Sequence, residues 1–219
     1  MSTKPAFAVV LSGCGVYDGT EIHEAVLTLL AIDSQGGRYA CFAPDVAQHH
    51  VVNHLTGQES PDKRNVLAES ARIARGKIEP LSAFDVNKFD ALVFPGGFGA
   101  AKNLCSFAFD GPACQVNPDV LKAVKAMHAA GKPIGALCIS PVLIARILGA
   151  GEVTIGNDAG TAQAIEKMGG KHAVRGHGEV VVDARLKLVT SPCYMLDATI
   201  SQIAEGADNA IRHLMELMR

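Results

Sequence analysis

The chain has 219 residues, of which 48% are hydrophobic and 19% charged, and its formal net charge at pH 7 is −2. This length is within the range of one α/β domain, so we treat residues 1–219 as a single domain with a large buried core. The nearly balanced charge provides no basic face for nucleic acid or an anionic membrane, so small molecules or further copies of the chain are the expected partners.

Short apolar segments alternate with helical patterns along the whole chain. In chain order, the predicted strands are Phe7–Leu11, Arg38–Ala43, Ala91–Phe94, Pro133–Leu137, Glu179–Asp183 and Leu186–Thr190. The predicted helices are Thr20–Gln35, Arg64–Arg75, Pro118–Ala130, Ser140–Leu148, Thr161–Met168 and Met195–Met218. The strands that precede helices are continuously apolar, which is typical of parallel strands buried on both faces. This order predicts an α/β fold of the flavodoxin-like, doubly wound type, a mostly parallel sheet with helices on both faces and a small antiparallel hairpin at Ala184-Arg185.

The first residues and the cysteines bear on where the protein is located. Residues 1–5 are polar, the apolar run Phe7–Leu11 is too short to span a bilayer, and no small-residue cleavage pattern follows it. The cysteines, at positions 14, 41, 105, 114, 138 and 193, include no C-x-x-C pair. Disulfide frameworks are typical of short secreted chains, so free thiols and a cytosolic location are expected.

Two stretches rich in turn-forming residues, 53–80 and 103–118, interrupt the alternation. In open α/β sheets, ligands bind beyond the carboxyl ends of the strands, and long connections there often cover the site. The two stretches therefore either line a binding site or are surface excursions without a role.

The strongest signal for chemistry is at Cys138, where a buried apolar strand ends. Pro141 then opens a helix, and small residues stand two before and two after the cysteine, at Ala136 and Ser140. A nucleophile elbow needs small residues there because its turn is tight and strained. The sulfur of such an elbow faces the N–H groups of the following helix, which is expected to lower the pKa of the thiol. The alternative is a buried cysteine at a strand end.

A glycine-rich turn, Pro95-Gly96-Gly97-Phe98-Gly99, follows another apolar strand. Glycines allow a sharp bend and present N–H groups to a ligand. The N–H groups of Gly97 and Ile139 are therefore a candidate pair for holding an oxyanion. The turn lacks the third glycine and the distant acidic residue of a dinucleotide-binding fingerprint, so no nucleotide cofactor is expected.

Acidic residues follow the first strand, in the segment Ser12–Glu24. Thr20 is a candidate helix cap, and Glu21 and Glu24 are three residues apart, near one face of the first turns. Acidic side chains at this position often only complement the helix dipole. The functional interpretation rests on topology, since the first strand and the strand before Cys138 should end at the same crevice.

A metal site is conceivable at His49, His50 and His54, close to Asp45. Adjacent histidines on an exposed segment are more often solvated, so no metal is expected.

The elbow, the glycine turn and the first-helix glutamate together resemble the class I glutamine-amidotransferase-like superfamily. Within it, the chain resembles the branch of the PfpI-type proteases, the Parkinsonism-associated deglycase and the cofactor-free glyoxalases. The segments Ser12–Glu24, Phe94–Asn103 and Ser191-Pro192-Cys193 resemble the ElbB (enhancing lycopene biosynthesis) proteins in particular. The resemblance covers nearly the whole chain.

This resemblance implies a role for each matching residue. Cys138 matches the nucleophile, and either Glu24 or Glu21 matches the buried glutamate. Many relatives have a histidine directly after the nucleophile, but here that position is Ile139, which removes the usual base of the protease-like members. The His-x-Glu of true glutaminases is also missing after the late strands. The further candidate pocket residues are Cys14, Gly96, Asn103, His172 and His177.

The implied activity is that of a cofactor-independent glyoxalase, a lyase that acts on glyoxal or a similar small α-oxoaldehyde. Cys138 would attack the aldehyde and a glutamate would carry the proton, giving the hydroxy acid, which is glycolate in the case of glyoxal. Apparent deglycase activity and a homodimer are also expected from the resemblance. The alternative is a non-catalytic accessory protein linked to isoprenoid metabolism, in which an exposed cysteine of low pKa senses oxidation.

Overall fold

The computed structural model describes residues 4–219, so the first three residues of the polar start lie outside the described part. The strands are β1 (Ala6–Val10), β2 (Arg38–Ala43), β3 (Ile78–Pro80), β4 (Ala91–Phe94), β5 (Ile134–Leu137), β6 (Glu152–Val153), β7 (Lys171–His172), β8 (Val181–Asp183) and β9 (Leu188–Ser191). The helices are α1 (Ile22–Ser34), α2 (Val66–Ile73), α3 (Phe98–Lys102), α4 (Phe107–Asp110), α5 (Pro118–Ala129), α6 (Pro141–Leu148), α7 (Ala159–Lys167) and α8 (Ile200–Leu217).

Seven strands form one sheet in the order β3-β2-β1-β4-β5-β9-β8, and β6 and β7 form a separate two-stranded sheet. All neighbours in the large sheet are parallel except β8 and β9, which form the antiparallel hairpin with Asp183 opposite Leu188. The predicted fold class is therefore confirmed. The strand order runs outward in both directions from β1, so the crevice between the ends of β1 and β4 is where ligands bind in such sheets.

The apolar side chains of β1 alternate between two cores, one on each face of the sheet. Phe7 and Val9 belong to the core that α1 and α8 cover, and Ala8 and Val10 belong to the core that α5 and α6 cover. All five residues of β1 are buried. This two-sided burial explains why the strand is continuously apolar, and it fixes the position of the loop that leaves β1.

Three differences from the predicted elements have local causes. Helix α8 begins at Ile200 instead of Met195, because Thr199 and Gln202 form a reciprocal capping box. The N-cap of α1 is Glu21 and not Thr20; the Thr20 hydroxyl instead accepts a hydrogen bond from the Ser12 N–H at 2.6 Å. The short strands β3, β6 and β7 were not predicted, because runs of two or three residues have no recognisable period.

Within residues 4–219, no helix combines the length and the apolar character that crossing a bilayer requires.

Candidate active site

Cys138 lies on the tight turn that joins β5 to α6. Its φ is +57°, in the left-handed region that non-glycine residues rarely adopt. Its N–H donates to the carbonyl of Ser191 at 2.9 Å, and the Ser140 hydroxyl donates to the carbonyl of Pro95 at 2.8 Å. The structure thus has the strained turn that the sequence predicts, held between the ends of β4 and β9. Strain of this kind costs about 1–3 kcal/mol and is most common at functional sites.

Glu24 lies on the first turn of α1 and is completely buried. The N–H of Gly96 donates to its Oε2 at 2.8 Å, and the N–H of Tyr194 donates to its Oε1 at 3.1 Å. Its carboxyl also lies beside the thiol of Cys138, and the two groups meet across Gly96. The pKa of Glu24 is raised to about 8. Burial is the main cause and the charge of Glu21 adds to it, while the two N–H donors offset part of the rise. The carboxyl therefore exchanges its proton close to neutral pH.

Glu21, the other candidate acid, has a structural role in this arrangement. Its side chain caps α1 by accepting from the Glu24 N–H at 2.7 Å, and its own N–H donates to the carbonyl of Gly96 at 3.0 Å. The structure therefore places Glu24, and not Glu21, against the Cys138 thiol.

Gly96 allows the carboxyl and the thiol to meet. A Cβ atom on Gly96 would stand 2.6 Å from Glu24 Oε2 and 2.9 Å from Cys138 Sγ, which is closer than real Cβ contacts. Any side chain here would occupy the space that the two reactive groups share. Gly96 is therefore part of the site because it lacks a side chain.

The pKa of the Cys138 thiol is raised well above its usual value, which corrects the expectation that the elbow lowers it. Burial is the main cause and the charge of Glu24 is the second, while a hydrogen bond from the Gly97 N–H acts in the opposite direction. The side chain is also only 6% exposed. Because the helix start does not outweigh burial beside a carboxylate, the resting cysteine is a thiol.

A cavity of about 400 Å³ opens beside Cys138, and Gly97 and Ile139 both line it. The Gly97 N–H already points at the Cys138 sulfur. Among residues 4–219, none accepts a hydrogen bond from the Ile139 N–H. Two N–H donors are thus available where the oxygen of a carbonyl attacked by the sulfur would lie, and their role as an oxyanion hole remains a prediction.

None of the five candidate pocket residues lines this cavity, although Gly96 lies between the two reactive groups. Cys14 is half-buried in the loop after β1, beside Glu69. The Asn103 amide donates to the carbonyls of Ser12 and Asp18, both at 2.9 Å, so it fastens a loop and faces away from the cavity.

The histidines are also remote from Cys138. His172 lies on β7, where its Nε2 accepts from the Ile155 N–H at 3.4 Å, and His177 is exposed on the loop before β8. None of the eight histidines, all of which are within residues 4–219, lines the cavity. No imidazole therefore lines the cavity in place of the one that Ile139 removes, and His23 reaches it only through the Tyr194 hydroxyl, at 2.9 Å.

The sequence analysis missed Tyr194. Its N–H orients Glu24, its side chain lines the cavity, and its hydroxyl is 2.9 Å from His23 Nδ1. The available signal was its position three residues after β9, since β9 lies next to β5 and its end reaches the same crevice.

In the described part of the chain, no three His, Cys, Asp or Glu side chains converge to hold a metal. His49 and His50 instead pack against each other and against the ring of Phe109.

Comparison with known proteins relates this geometry to a family. The model of the DJ-1/PfpI family matches residues 77–198, which include the glycine turn, the elbow and Tyr194. The chain is 50% identical to the human "glutamine amidotransferase-like class 1 domain-containing protein 3, mitochondrial", over 96% of this chain and 82% of that protein. It is 48% identical to the rat "ES1 protein homolog, mitochondrial" (96% and 83% covered) and 38% identical to the zebrafish "ES1 protein, mitochondrial" (96% and 85% covered).

Two solved structures share the fold. An isoprenoid biosynthesis protein with an amidotransferase-like domain from Ehrlichia chaffeensis is 37% identical, with a TM-score of 0.93 and coverage of 98% of this chain and 100% of that one. Glyoxalase III from Candida albicans is 15% identical, with a TM-score of 0.62 and coverage of 95% and 97%, and this likeness concerns the fold alone.

The expected cytosolic location is contradicted by these relatives. The human, rat and zebrafish proteins are all named as mitochondrial. Neither the polar start nor the free cysteines distinguishes the cytosol from other reducing compartments, so the inference from them was wrong.

Proposed function

We propose that this chain, which belongs to the DJ-1/PfpI family, is a cofactor-independent enzyme that converts glyoxal or a similar small α-oxoaldehyde to the hydroxy acid. The observation that carries the proposal is that the buried Glu24 carboxyl and the Cys138 thiol meet across Gly96, beside an open cavity. A glyoxalase III with the same fold supports it at the level of the scaffold.

In the first step, Cys138 attacks the aldehyde carbon while its proton passes to the Glu24 carboxylate. The attack forms a carbon–sulfur bond and turns the carbonyl oxygen into an oxyanion, to which the N–H groups of Gly97 and Ile139 donate. With a pKa of about 8, roughly a tenth of Glu24 is in the base form at pH 7. A free thiolate is not required, which fits the raised pKa of the thiol.

In the second step, Glu24 returns its proton to the oxyanion, which gives the neutral hemithioacetal and restores the carboxylate. The carboxylate then removes the proton of the first carbon and delivers it to the second, while the hydroxyl proton on the first carbon passes to the oxygen of the second. The first carbon is oxidised to a thioester and the second is reduced to an alcohol, so no external oxidant or reductant takes part. Water then cleaves the thioester, releasing the hydroxy acid and restoring the Cys138 thiol. Because no histidine lines the cavity, Glu24 carries both proton transfers, and we expect modest turnover.

A role in isoprenoid metabolism is a second candidate, favoured by the name of the Ehrlichia chaffeensis protein. The redox-sensing form of this candidate has less support. Oxidation is easiest for exposed cysteines of low pKa, whereas Cys138 is 6% exposed and its pKa is raised.

The proposal is tested by incubating the protein with glyoxal, without glutathione, and following glycolate by proton NMR. The wild type is expected to form one glycolate per glyoxal, and Cys138→Ala is expected to lose at least about 100-fold in rate. Cys14→Ala is the matched control, because that thiol lies outside the cavity and its loss should leave the rate unchanged. Glycolate formation by Cys138→Ala at the wild-type rate would exclude the mechanism.

A further inference from the structure

The cavity beside Cys138 is larger than glyoxal requires. Its volume of about 400 Å³ lies within the range of roughly 300–1,000 Å³ that is typical of sites for much larger ligands. A two-carbon dialdehyde bound at the sulfur would leave most of this space unused. The shape and lining of the unused space therefore indicate what kind of group the rest of the substrate bears.

The walls of this space are mainly apolar. Phe98 and Ala101 on α3, Phe107 on α4, Ile139 after β5 and Met195 after β9 all line it. Phe98 is 49% exposed, so its ring has considerable surface free to contact a ligand. The polar groups of the reaction are gathered at the Cys138 end, with the N–H groups of Gly97 and Ile139. A ligand that fits this distribution has a polar head and an apolar body.

The charges around the cavity disfavour an anionic body. No lysine or arginine is among the described residues that line the cavity, and the charged residue at its rim is Asp158. Hydrogen bonds from the hydroxyl and N–H of Thr161 lower the pKa of Asp158, so this carboxylate is ionised at neutral pH. A carboxylate or phosphate on the substrate would meet the like charge of Asp158 at the rim. The neighbouring cation, Lys102, stands 5.3 Å from the centroid of the Phe98 ring, does not line the cavity and donates to the carbonyl of Tyr17 at 2.9 Å.

We infer, building on the proposed function, that the preferred substrate is an uncharged α-oxoaldehyde whose keto carbon bears an apolar group about the size of phenyl or isobutyl. The aldehyde lies at the Cys138 sulfur and the apolar group lies among Phe98, Phe107 and Met195. The reaction is balanced as before, because the α-oxoaldehyde and one water give the α-hydroxy acid. Phenylglyoxal would thus give mandelate.

The experiment compares kcat/KM for phenylglyoxal, 4-carboxyphenylglyoxal and glyoxal in the wild type, with the hydroxy acids quantified by chromatography. Phenylglyoxal is expected to exceed both other substrates by about tenfold or more, since burying an aryl group in an apolar site is worth a factor of this order. Counting the hydroxy acid formed keeps the measurement separate from any modification of arginines by phenylglyoxal.

Variants of the residues that line the cavity test whether they cause the preference for phenylglyoxal. Phe107→Ala and Met195→Ala should each lower the ratio of phenylglyoxal to glyoxal kcat/KM at least about fivefold. Phe109→Ala is the matched control, because this ring lies two residues from Phe107 but packs on His49 and His50 outside the cavity. Its ratio should equal that of the wild type.

The outcomes separate this inference from the function on which it rests. Turnover of glyoxal with no preference for phenylglyoxal, or a ratio that both wall variants leave unchanged, would overturn the inference alone. Formation of no hydroxy acid from any of the three substrates would overturn both.

Discussion

At the scale of single residues, the site depends on a carboxyl and a thiol that meet in a largely buried space at the edge of the cavity. Glu24 accepts hydrogen bonds from the N–H groups of Gly96 and Tyr194, and these two bonds orient its carboxyl toward Cys138. Burial raises the pKa of both the carboxyl and the thiol. Below pH 8 the pair therefore holds two protons, and above pH 8 it holds one. In the proposed reaction, the carboxylate of Glu24 is therefore the group that accepts the proton during attack.

Gly96→Ala tests this packing at its narrowest point. The new Cβ would stand within 3 Å of Glu24 Oε2 and Cys138 Sγ, so one of the two groups must move away. We expect a loss of at least about 100-fold in kcat/KM for glyoxal, because the loss of a positioned proton transfer is of that order. Gly176→Ala is the control, since its Cβ would be no closer than 3.4 Å to any neighbour and lies outside the cavity. Equal activities of the two variants would contradict the role given to Gly96.

The sequence predicted the position of Cys138 and the presence of an acid, but not which acid. Glu21 and Glu24 are three residues apart on the first turns, so local spacing leaves both available. The choice depends on donors from distant segments, Gly96 and Tyr194, which helix geometry does not reveal. The direction of the thiol pKa was wrong for the same reason, because burial and the facing carboxylate come from the tertiary structure.

At the scale of elements, four loops at the carboxyl ends of β1, β4, β5 and β9 build the site. The loops after β1 and β4 are joined through the backbone, since Phe98 N–H donates to Val16 and Gly99 N–H donates to Gly19, both at 2.8 Å. Asn103, at the end of α3, fastens the first loop at Ser12 and Asp18. Gly97, whose N–H interacts with the Cys138 sulfur, directly precedes Phe98. The joined loops therefore hold the position of Gly97, one of the two proposed oxyanion donors.

Asn103→Ala is expected to lower kcat/KM by about three- to tenfold and stability by about 1–3 kcal/mol, because two carbonyls lose their donor. Asn209→Ala is the comparison, since that amide also fastens a loop by donating to the carbonyl of Gly178 at 2.8 Å, and neither residue lines the cavity. It should lose stability without losing activity. Urea unfolding and glyoxal kinetics on both variants provide the measurements. If Asn103→Ala kept full activity, the loop would not be positioning Gly97.

The longer strands were predictable from the sequence because a strand buried on both faces is a continuous run of apolar residues, as in β1 and β4. The two-residue strands β6 and β7 are too short to form such a run. The start of α8 was misplaced because Met195 fits a helical period, whereas the cap at Thr199 is what begins the helix.

At the scale of the whole molecule, the fold carries an ionisable group in its interior. Glu24 has an ordinary pKa of 4.5 and a pKa of about 8 in the folded chain. Folding therefore favours its protonated form, and the stability that this contributes is present below pH 4.5 and is lost as pH rises toward 8. The strained, acid-bearing crevice is tolerated because the surrounding sheet is fully packed on both faces.

The free energy of unfolding of the wild type should fall between pH 5 and pH 8 by up to about 4 kcal/mol through this group. Glu24→Gln removes the titration, so its curve over the same range should be flatter, although its amide opposes one of the two N–H donors and lowers stability at every pH. Urea titrations at pH 5, 6.5 and 8 give the comparison. Parallel curves for the two proteins would show that Glu24 does not change its protonation across this range.

The alternation of strands and helices was enough to predict a doubly wound sheet, yet not to place the cavity wall. Phe107 lies on the single-turn helix α4 and Met195 on a short turn after β9, and both reach the crevice only through tertiary packing. Those segments follow strands whose carboxyl ends meet, so strand order, which the sequence does not contain, decides what lines the site.

The pH dependence of kcat/KM for glyoxal, after subtraction of the uncatalysed rate, tests the pairing of Glu24 with Cys138 most directly. The account predicts a rise with pH that levels off above an apparent pKa of about 8, because the base form of Glu24 must receive the thiol proton. In Glu24→Gln this limb should disappear together with most of the activity. A profile whose midpoint lies in the range of an ordinary thiol and persists in Glu24→Gln would show that Cys138 reacts as a free thiolate, which would contradict the account.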